Sequence, residues 1–280
     1  MNKQLIDLFI KNAIAEDVGD GDHTSLSTIP VGTQGKAKLI VKEDGILAGV
    51  ELALEIFNQI DPDLKTTVFI KDGAVVKYGD IAFTVEGSTH SILLAERLVL
   101  NCMQRMSGIA TKTNRIVAKL APYKTKVLDT RKTTPGLRYL EKWAVVIGGG
   151  VNHRIGLYDM ILIKDNHVDY AGGIANAINA ANHYLKETGK QLEIEIEVRN
   201  LTELDEVLAT GNVNRIMLDN FDLPKLKQAV DVINNRFTTE ASGGIIEENV
   251  ADYAACGVDF ISMGALTHSV KSLDLSLKAF

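Results

Sequence analysis

Residues 191–200, QLEIEIEVRN, alternate Ile194, Ile196 and Val198 with Glu193, Glu195 and Glu197. A strand sends successive side chains to opposite faces, so the pattern sets branched apolar residues on one side and carboxylates on the other. In an edge strand the glutamates would lie in water. In a barrel no strand has a solvent face: the apolar side meets the surrounding helices and the three carboxylates point inward. A buried, uncompensated carboxylate is costly, so that arrangement demands cations, donors or a metal.

The sequence on either side favours the barrel. Beyond Pro122, the short apolar runs KVLD (126–129), MILI (160–163), NRIMLD (214–219), FTTEA (237–241) and VDFISM (258–263) alternate with helical segments. With 191–200 they make six strands, which imply an α/β fold with a parallel sheet, open or closing as a barrel. Six is fewer than a complete eight-stranded barrel needs, so either strands are hidden or the barrel is incomplete. Polar residues collect at the carboxyl ends of these runs: Asp129-Thr130-Arg131-Lys132, Lys164-Asp165-Asn166, Glu197, Asp219-Asn220, Ser242-Gly243-Gly244 and Gly264-Ala265. That rim is where active sites assemble in β/α barrels.

The charge pattern narrows the ligand. The chain carries 30 Lys and Arg against 36 Asp and Glu, a formal charge of -6, which argues against nucleic acid and acidic membranes as partners. Yet Asp129–His167 gathers Arg131, Lys132, Arg138, His153, Arg154 and Lys164, a local inversion suited to a small anion. His153 and Arg154 fall in a connector before the MILI strand, where surface positions and ligand binding are equally open readings. Arg138 and Lys142, a helical turn apart beside Glu141, read as an exposed helix face. Gly148-Gly149-Gly150 reads as a helix cap and connector, or a loop that closes over substrate.

Glu197 and Asp219 could hold Mg²⁺ through water or stabilise a positively charged transition state. Asp219 could alternatively cap the helix beginning near Pro224, a task Asp222 performs equally well. The Ser242-Gly243-Gly244 turn precedes the helical IIEENVADYAAC, and Gly264 stands similarly one strand later. Paired glycine loops after the last strands of a β/α barrel suit a phosphate, although either alone fits an ordinary tight turn.

Ahead of the barrel, KAKLIVKE (36–43), the helical ELALEIFNQI (51–60), TTVFI (66–70) and DIAFTVEG (80–87) outline a compact α+β unit. A helical stretch from His90 to about Leu120 follows, with a break expected at Ser107-Gly108. The acidic EDVGDGDHTS (16–25) lacks the residue order of a calcium loop and reads as a helix end with turn and cap. At 280 residues and 46% hydrophobic content the chain can bury a sizeable core. No run approaches a membrane span, and residues 1–19 read as an amphipathic helix without a secretory cleavage pattern, so a cytoplasmic location is expected. Cys102 and Cys256 offer neither a disulfide framework nor metal-ligand spacing.

Taken together, EDVGDGDHTS, AERLVLNCMQRMSGIAT, DTRKTTPGLR, GGGVNHR, LIKDNH, EIEVRN, MLDNF, EASGGI and SMGALTHS closely resemble the quinolinate phosphoribosyltransferases, also called carboxylating nicotinate-nucleotide pyrophosphorylases. The strings run in order over essentially the whole chain; Trp143, where tyrosine is expected, is a small departure. The resemblance implies an N-terminal α/β sandwich domain (1–108, rejoined by the tail 268–280) and an incomplete parallel β/α barrel of about six or seven strands (109–267). It implies a type II phosphoribosyltransferase that joins quinolinate to phosphoribosyl pyrophosphate with Mg²⁺. The products are nicotinate mononucleotide, pyrophosphate and CO₂, in de novo NAD biosynthesis.

By the same resemblance Arg131, His153 and Arg154 bind the quinolinate carboxylates, joined by Arg97 from a neighbouring subunit of a homodimer or dimer-based hexamer. Lys132 and Lys164 meet pyrophosphate or phosphate oxygens. Glu197 and Asp219 face the ribose and Mg²⁺, and Ser242, Gly243, Gly244, Gly264 and His268 cradle the 5-phosphate. Two other readings stand beside this one. A paralogue of the same fold could take another ring acid, in which case fewer cations would face it. A non-catalytic carrier is suggested by the turn-rich KDGAVVKYGDIAFTVEG (71–87), although no lipoyl or biotinyl attachment motif is present there.

Overall fold

The computed structural model describes residues 3–280; the first two positions of the amphipathic N-terminal segment lie outside the described residues. The chain divides into two compact units, one comprising residues through Asn114, Thr133–Gly149 and Leu266–Phe280, the other Arg115–Lys132 and Gly150–Ala265.

In the first unit an antiparallel sheet is built from Gln34–Val41, Lys65–Val68, Ile81–Ser88 and the C-terminal Leu275–Ala279. The C-terminal strand pairs with Gln34–Val41 over Ala37–Val41, so the tail completes the sheet begun near the start of the chain. Alternation explains its buried face: Ala37, Leu39 and Val41 are inward while Lys36, Lys38 and Ile40 are not. The helix Val50–Ile60 covers the core with Leu52, Ala53, Ile56 and Phe57. Phe57 meets Phe83 edge-on, ring centroids 5.8 Å apart. Lys3–Val18 is helical, and Asp22 caps the next helix, His23–Thr28, by accepting from Ser25 N, so EDVGDGDHTS is indeed a helix end and cap.

Two expectations fail in this unit. Thr89–Leu120 is one uninterrupted helix of 32 residues, without the break expected at Ser107-Gly108. Those residues are small because neighbours come close. A β-carbon on Gly108 would lie 2.2 Å from Lys271 O, and the buried Ser107 hydroxyl accepts from Ala48 N and donates to Ala48 O. The helix Arg138–Ile147 is also not an exposed cationic face. Glu141 and Lys142 are buried within it, and Glu141 Oε1 accepts from Arg105 Nη2 at 2.7 Å and Nε at 3.1 Å. This helix belongs to the first unit, although sequence order alone groups it with the barrel. It ends at Gly148, whose N–H returns to Ala144 O as a cap and whose β-carbon position would sit 2.5 Å from Ala110 O.

The second unit contains the six strands read from the sequence: β1 (Lys126–Leu128), β2 (Ile161–Ile163), β3 (Ile194–Val198), β4 (Arg215–Asp219), β5 (Thr238–Ser242) and β6 (Phe260–Ser262). All pairings are parallel, in the order β1-β6-β5-β4-β3-β2, and β1 and β2 are not paired with each other. On its free side β1 makes a single bridge among the described residues, Leu128 to Val151. The barrel is therefore incomplete, as expected. Among the described residues no helix is long and apolar enough to cross a membrane.

Candidate active site

Most barrel strands are short apolar runs, and the chain turns polar at the same rim. Asp129 leaves β1 fully buried. Its Oδ1 accepts the backbone N–H of His153 at 2.9 Å, while Asp129 N donates to Val151 O and Val151 N to Val127 O. A buried carboxylate thus pins the connector carrying His153 and Arg154 beside the strand that leads into Arg131 and Lys132. Arg131 and Lys132 are exposed, whereas His153 and Arg154 are buried, so the latter are not surface residues.

Arg154 gives one N–H to Met160 O at 3.1 Å. Burial, then the like charge of Arg131, lowers its affinity for a proton, while Glu195 and Asp159 act in the other direction. Two guanidinium groups close enough to influence each other make a corner that an anion would relieve. Asp159 closes the following turn by accepting from Ile155 N and Gly156 N.

Lys164 follows β2, and its Nζ lies 3.0 Å from Glu197 Oε2 near the end of β3. Glu195 and Glu197 are both buried and turned into the barrel, but Glu193 is exposed. The expectation of three inward carboxylates is corrected to two because the strand begins at Ile194. Asp219 ends β4 in register with Ser242 at the end of β5. Its Oδ2 accepts from Asn220 Nδ2 at 2.6 Å, while Asp222 caps the following helix through Lys225 N, leaving Asp219 to the rim.

Gly243 and Gly244 follow at φ +91° and +64°, the left-handed region that favours glycine. The helix beyond them starts only at Val250, not at the loop itself. The intervening turn is closed by Asn249, which accepts from Ile246 N and donates to Gly244 O. Any anion here would therefore meet the loop backbone without a helix end directly behind it. Gly264 stands two residues past β6, before the short helix Ala265–His268.

Arg97 and His268 belong to the first unit. Arg97 is exposed on the long helix and, among the described residues, has no hydrogen bond or ion pair, with Glu96 or any other group. His268 is also exposed, its Nδ1 2.7 Å from Ser269 Oγ.

One part of the second unit was not singled out in the sequence. Glu240 on β5 is fully buried, 3.0 Å from Arg215 Nη1 of β4 and 3.5 Å from His153 Nε2; the same Nε2 is 2.9 Å from Glu195 Oε2. Burial pushes both carboxyls up to about 7, with Glu195 adding to the effect on Glu240 and Arg215 opposing it at both. The signal was available: Glu195 and Glu240 precede Glu197 and Ser242 by two residues, and so share their strand faces.

The chain matches the family model for the quinolinate phosphoribosyl transferase N-terminal domain over residues 22–107 and the C-terminal domain over 109–278. It is 50% identical to the chloroplastic nicotinate-nucleotide pyrophosphorylase [carboxylating] of Arabidopsis thaliana, covering 96% of this chain and 81% of that one. It is 49% identical to quinolinate phosphoribosyltransferase [decarboxylating] 1b of Nicotiana tabacum over the same shares. The structure of the nicotinate-nucleotide pyrophosphorylase from Francisella tularensis superposes with a TM-score of 0.92 at 40% identity, covering 100% of this chain and 98% of that one. Matched over both domains and nearly its full length, the chain belongs to the quinolinate phosphoribosyltransferase family.

Proposed function

We propose that the barrel rim transfers the phosphoribosyl group of phosphoribosyl pyrophosphate to the ring nitrogen of quinolinate, releasing pyrophosphate and CO₂ and leaving nicotinate mononucleotide for NAD biosynthesis. Family membership supports the reaction. What supports the placement is opposite charge around one rim: cations at Arg131, Arg154 and Lys164, carboxylates at Glu197 and Asp219, and a glycine turn beside them.

Arg131 and Arg154, with His153 in the same corner, take the two acid groups, since planar guanidinium matches a carboxylate through parallel hydrogen bonds. Ser242, Gly243, Gly244 and Gly264 receive the 5-phosphate. Lys132 and Lys164 meet the pyrophosphate oxygens. As the bond from sugar carbon 1 to pyrophosphate breaks, positive charge grows on the ribose, and Glu197 and Asp219 stabilise it. The pyridine nitrogen then attacks that carbon and becomes cationic. The adjacent carboxylate departs as CO₂, its bonding pair remaining on the ring carbon until a solvent proton replaces it, so no protein base is required.

Glu197 and Asp219 are hard oxygen donors at the ends of adjacent strands, a donor set that fits Mg²⁺ held through water or substrate. When bound, the ion supplies charge neutralisation for the departing pyrophosphate. Arg97, exposed and without a partner among the described residues, suits donation to a neighbouring subunit's acid site, which makes the working unit a homodimer or a dimer-based hexamer. Two buried, unpaired cysteines are in keeping with a reducing, cytoplasmic location.

The test is direct. Purified protein with Mg²⁺, phosphoribosyl pyrophosphate and carboxyl-labelled quinolinate is expected to release labelled CO₂ and form nicotinate mononucleotide in equal amounts. Reaction with nicotinate in place of quinolinate, or with neither acid, would overturn the reading.

A further inference from the structure

Beneath the rim, against His153, lie charged residues that the transfer chemistry does not use: the buried Glu195 of β3 and Glu240 of β5, and the half-buried Arg215 of β4. We propose that Glu195 and Glu240, braced by Arg215, are positioning residues for the acid-binding corner, holding the His153 ring in one tautomer and orientation and, through it, the backbone at Arg154. This rests on the reading that Arg154 binds the acid.

The geometry carries it in three steps. His153 Nδ1 accepts the backbone N–H of Arg154 at 2.7 Å. A ring nitrogen that accepts holds no proton, so the ring's proton resides on Nε2. That Nε2 faces Glu195 Oε2 at 2.9 Å and Glu240 Oε2 at 3.5 Å. Glu195 Oε2 and His153 Nε2 are both buried and face each other at 2.9 Å as a charge contact rather than an aligned hydrogen bond, and Glu240 lies against the same carboxylate.

Glu240 is fixed in turn by Arg215 Nη1 at 3.0 Å, and Arg215 is itself register-paired with Glu195. The main-chain N–H of His153 is already held by Asp129 Oδ1. The turn is therefore anchored at its backbone by Asp129 and at one ring nitrogen by Arg154, while the other ring nitrogen faces the carboxylate pair. A guanidinium that must meet a carboxylate through two parallel bonds needs such a fixed base.

His153, Glu195 and Glu240 also have the ligand types and spacing of a cation site, their donor atoms lying within 4.8 Å of one another. Arg215 answers for the positive charge there, because its guanidinium already contacts Glu240. The cluster serves as a support made of the protein's own charges.

The experiment compares the wild-type enzyme with Glu195→Leu and Glu195→Gln in steady-state kinetics for both substrates, with ¹⁵N-histidine NMR of His153. The leucine removes the acceptor facing Nε2, whereas the glutamine keeps an acceptor oxygen. Glu195→Leu is expected to raise KM for quinolinate at least tenfold with KM for phosphoribosyl pyrophosphate within about twofold, and Glu195→Gln to restore quinolinate KM to within about threefold of wild type. The NMR is expected to show Nδ1 unprotonated and Nε2 protonated. Equal losses for both substrates, equal behaviour of leucine and glutamine, or a protonated Nδ1 in the wild type would overturn the proposal. Should Glu195→Leu not fold, the wild-type spectrum and Glu195→Gln kinetics still decide it. Failure of the wild type to use quinolinate at all would instead remove the functional reading beneath it.

Discussion

Asn220 and Gly243 are packed so closely that a β-carbon on Gly243 would sit 2.3 Å from Asn220 Oδ1 and 2.5 Å from its Cγ. Asn220 itself adopts φ 55°, donates its backbone N–H to Ser242 O at 2.8 Å and reaches back to Asp219 with its amide. The carboxylate at the end of β4 and the glycine turn after β5 are thereby one rigid piece of rim. Gly243→Ala meets both this overlap and the strain of a side chain at φ +91°, about 1–3 kcal/mol for the backbone alone. Its kcat/KM for phosphoribosyl pyrophosphate is expected to fall more than tenfold while quinolinate binding, measured separately by calorimetry, changes little. Equal weakening of both would show that the turn does not serve the phosphate.

Glu197→Gln and Asp219→Asn should each lower turnover by at least tenfold and leave folding nearly intact. Each change is nearly isosteric and keeps a hydrogen-bonding amide, and the Lys164 side chain that loses the Glu197 charge is 47% exposed and can turn to water. In catalysis both carboxylates oppose growing positive charge on the ribose. Single-turnover rates alongside urea unfolding check the two halves, and unchanged rates in both variants would refute the electrostatic role.

Arg131→Ala is expected to weaken quinolinate binding far more than that of phosphoribosyl pyrophosphate, because the loss is of a bidentate partner for a carboxylate. It should also restore some proton affinity to Arg154, whose guanidinium is disfavoured first by burial and then by Arg131. Equal loss for both substrates would place Arg131 elsewhere in the reaction.

The barrel strands were legible because most are short apolar runs that turn polar at their ends, a pattern local in sequence. What sequence could not show depends on partners far along the chain. Glu141 looked solvated until Arg105, 36 residues earlier, supplied its charge partner. Gly108 looked like a helix break because nothing local reveals Lys271 O against it. Glu193 followed the alternation of its neighbours but lies one residue before the strand. Glu240 was missed although it sits two residues before Ser242, since a lone glutamate in FTTEAS carries no sign of the Arg215 and His153 that surround it.

The Arg105–Glu141 pair makes a stability prediction in the first unit. Glu141 is almost fully buried, and Arg105 binds its Oε1 through two nitrogens while also reaching Thr267 O. Arg105→Ala leaves a buried carboxylate without its counter-charge, which costs about 3–5 kcal/mol. Pairing it with Glu141→Gln should return part of that loss, measured by urea denaturation, because the uncompensated charge is gone. Additive losses would mean the two residues act independently.

Stability should also fall as pH rises past the carboxyl range, owing to Glu195 and Glu240. Burial raises both to about 7 from the ordinary 4.5, against the pull of Arg215 on each, of Arg154 and Lys164 on Glu195, and of His153 and Ser262 on Glu240. A carboxyl whose folded value lies above its unfolded one binds its proton more tightly in the native state. Its contribution is therefore complete below pH 4.5 and is lost as pH climbs through 7. At about 1.4 kcal/mol per unit, and with the coupled pair treated as one titrating proton, the loss is on the order of 3 kcal/mol. Glu240→Gln, which mimics the protonated form, should flatten that slope between pH 5 and pH 8 in urea unfolding. Parallel slopes for the variant and the wild type would show that the pair does not carry the proton.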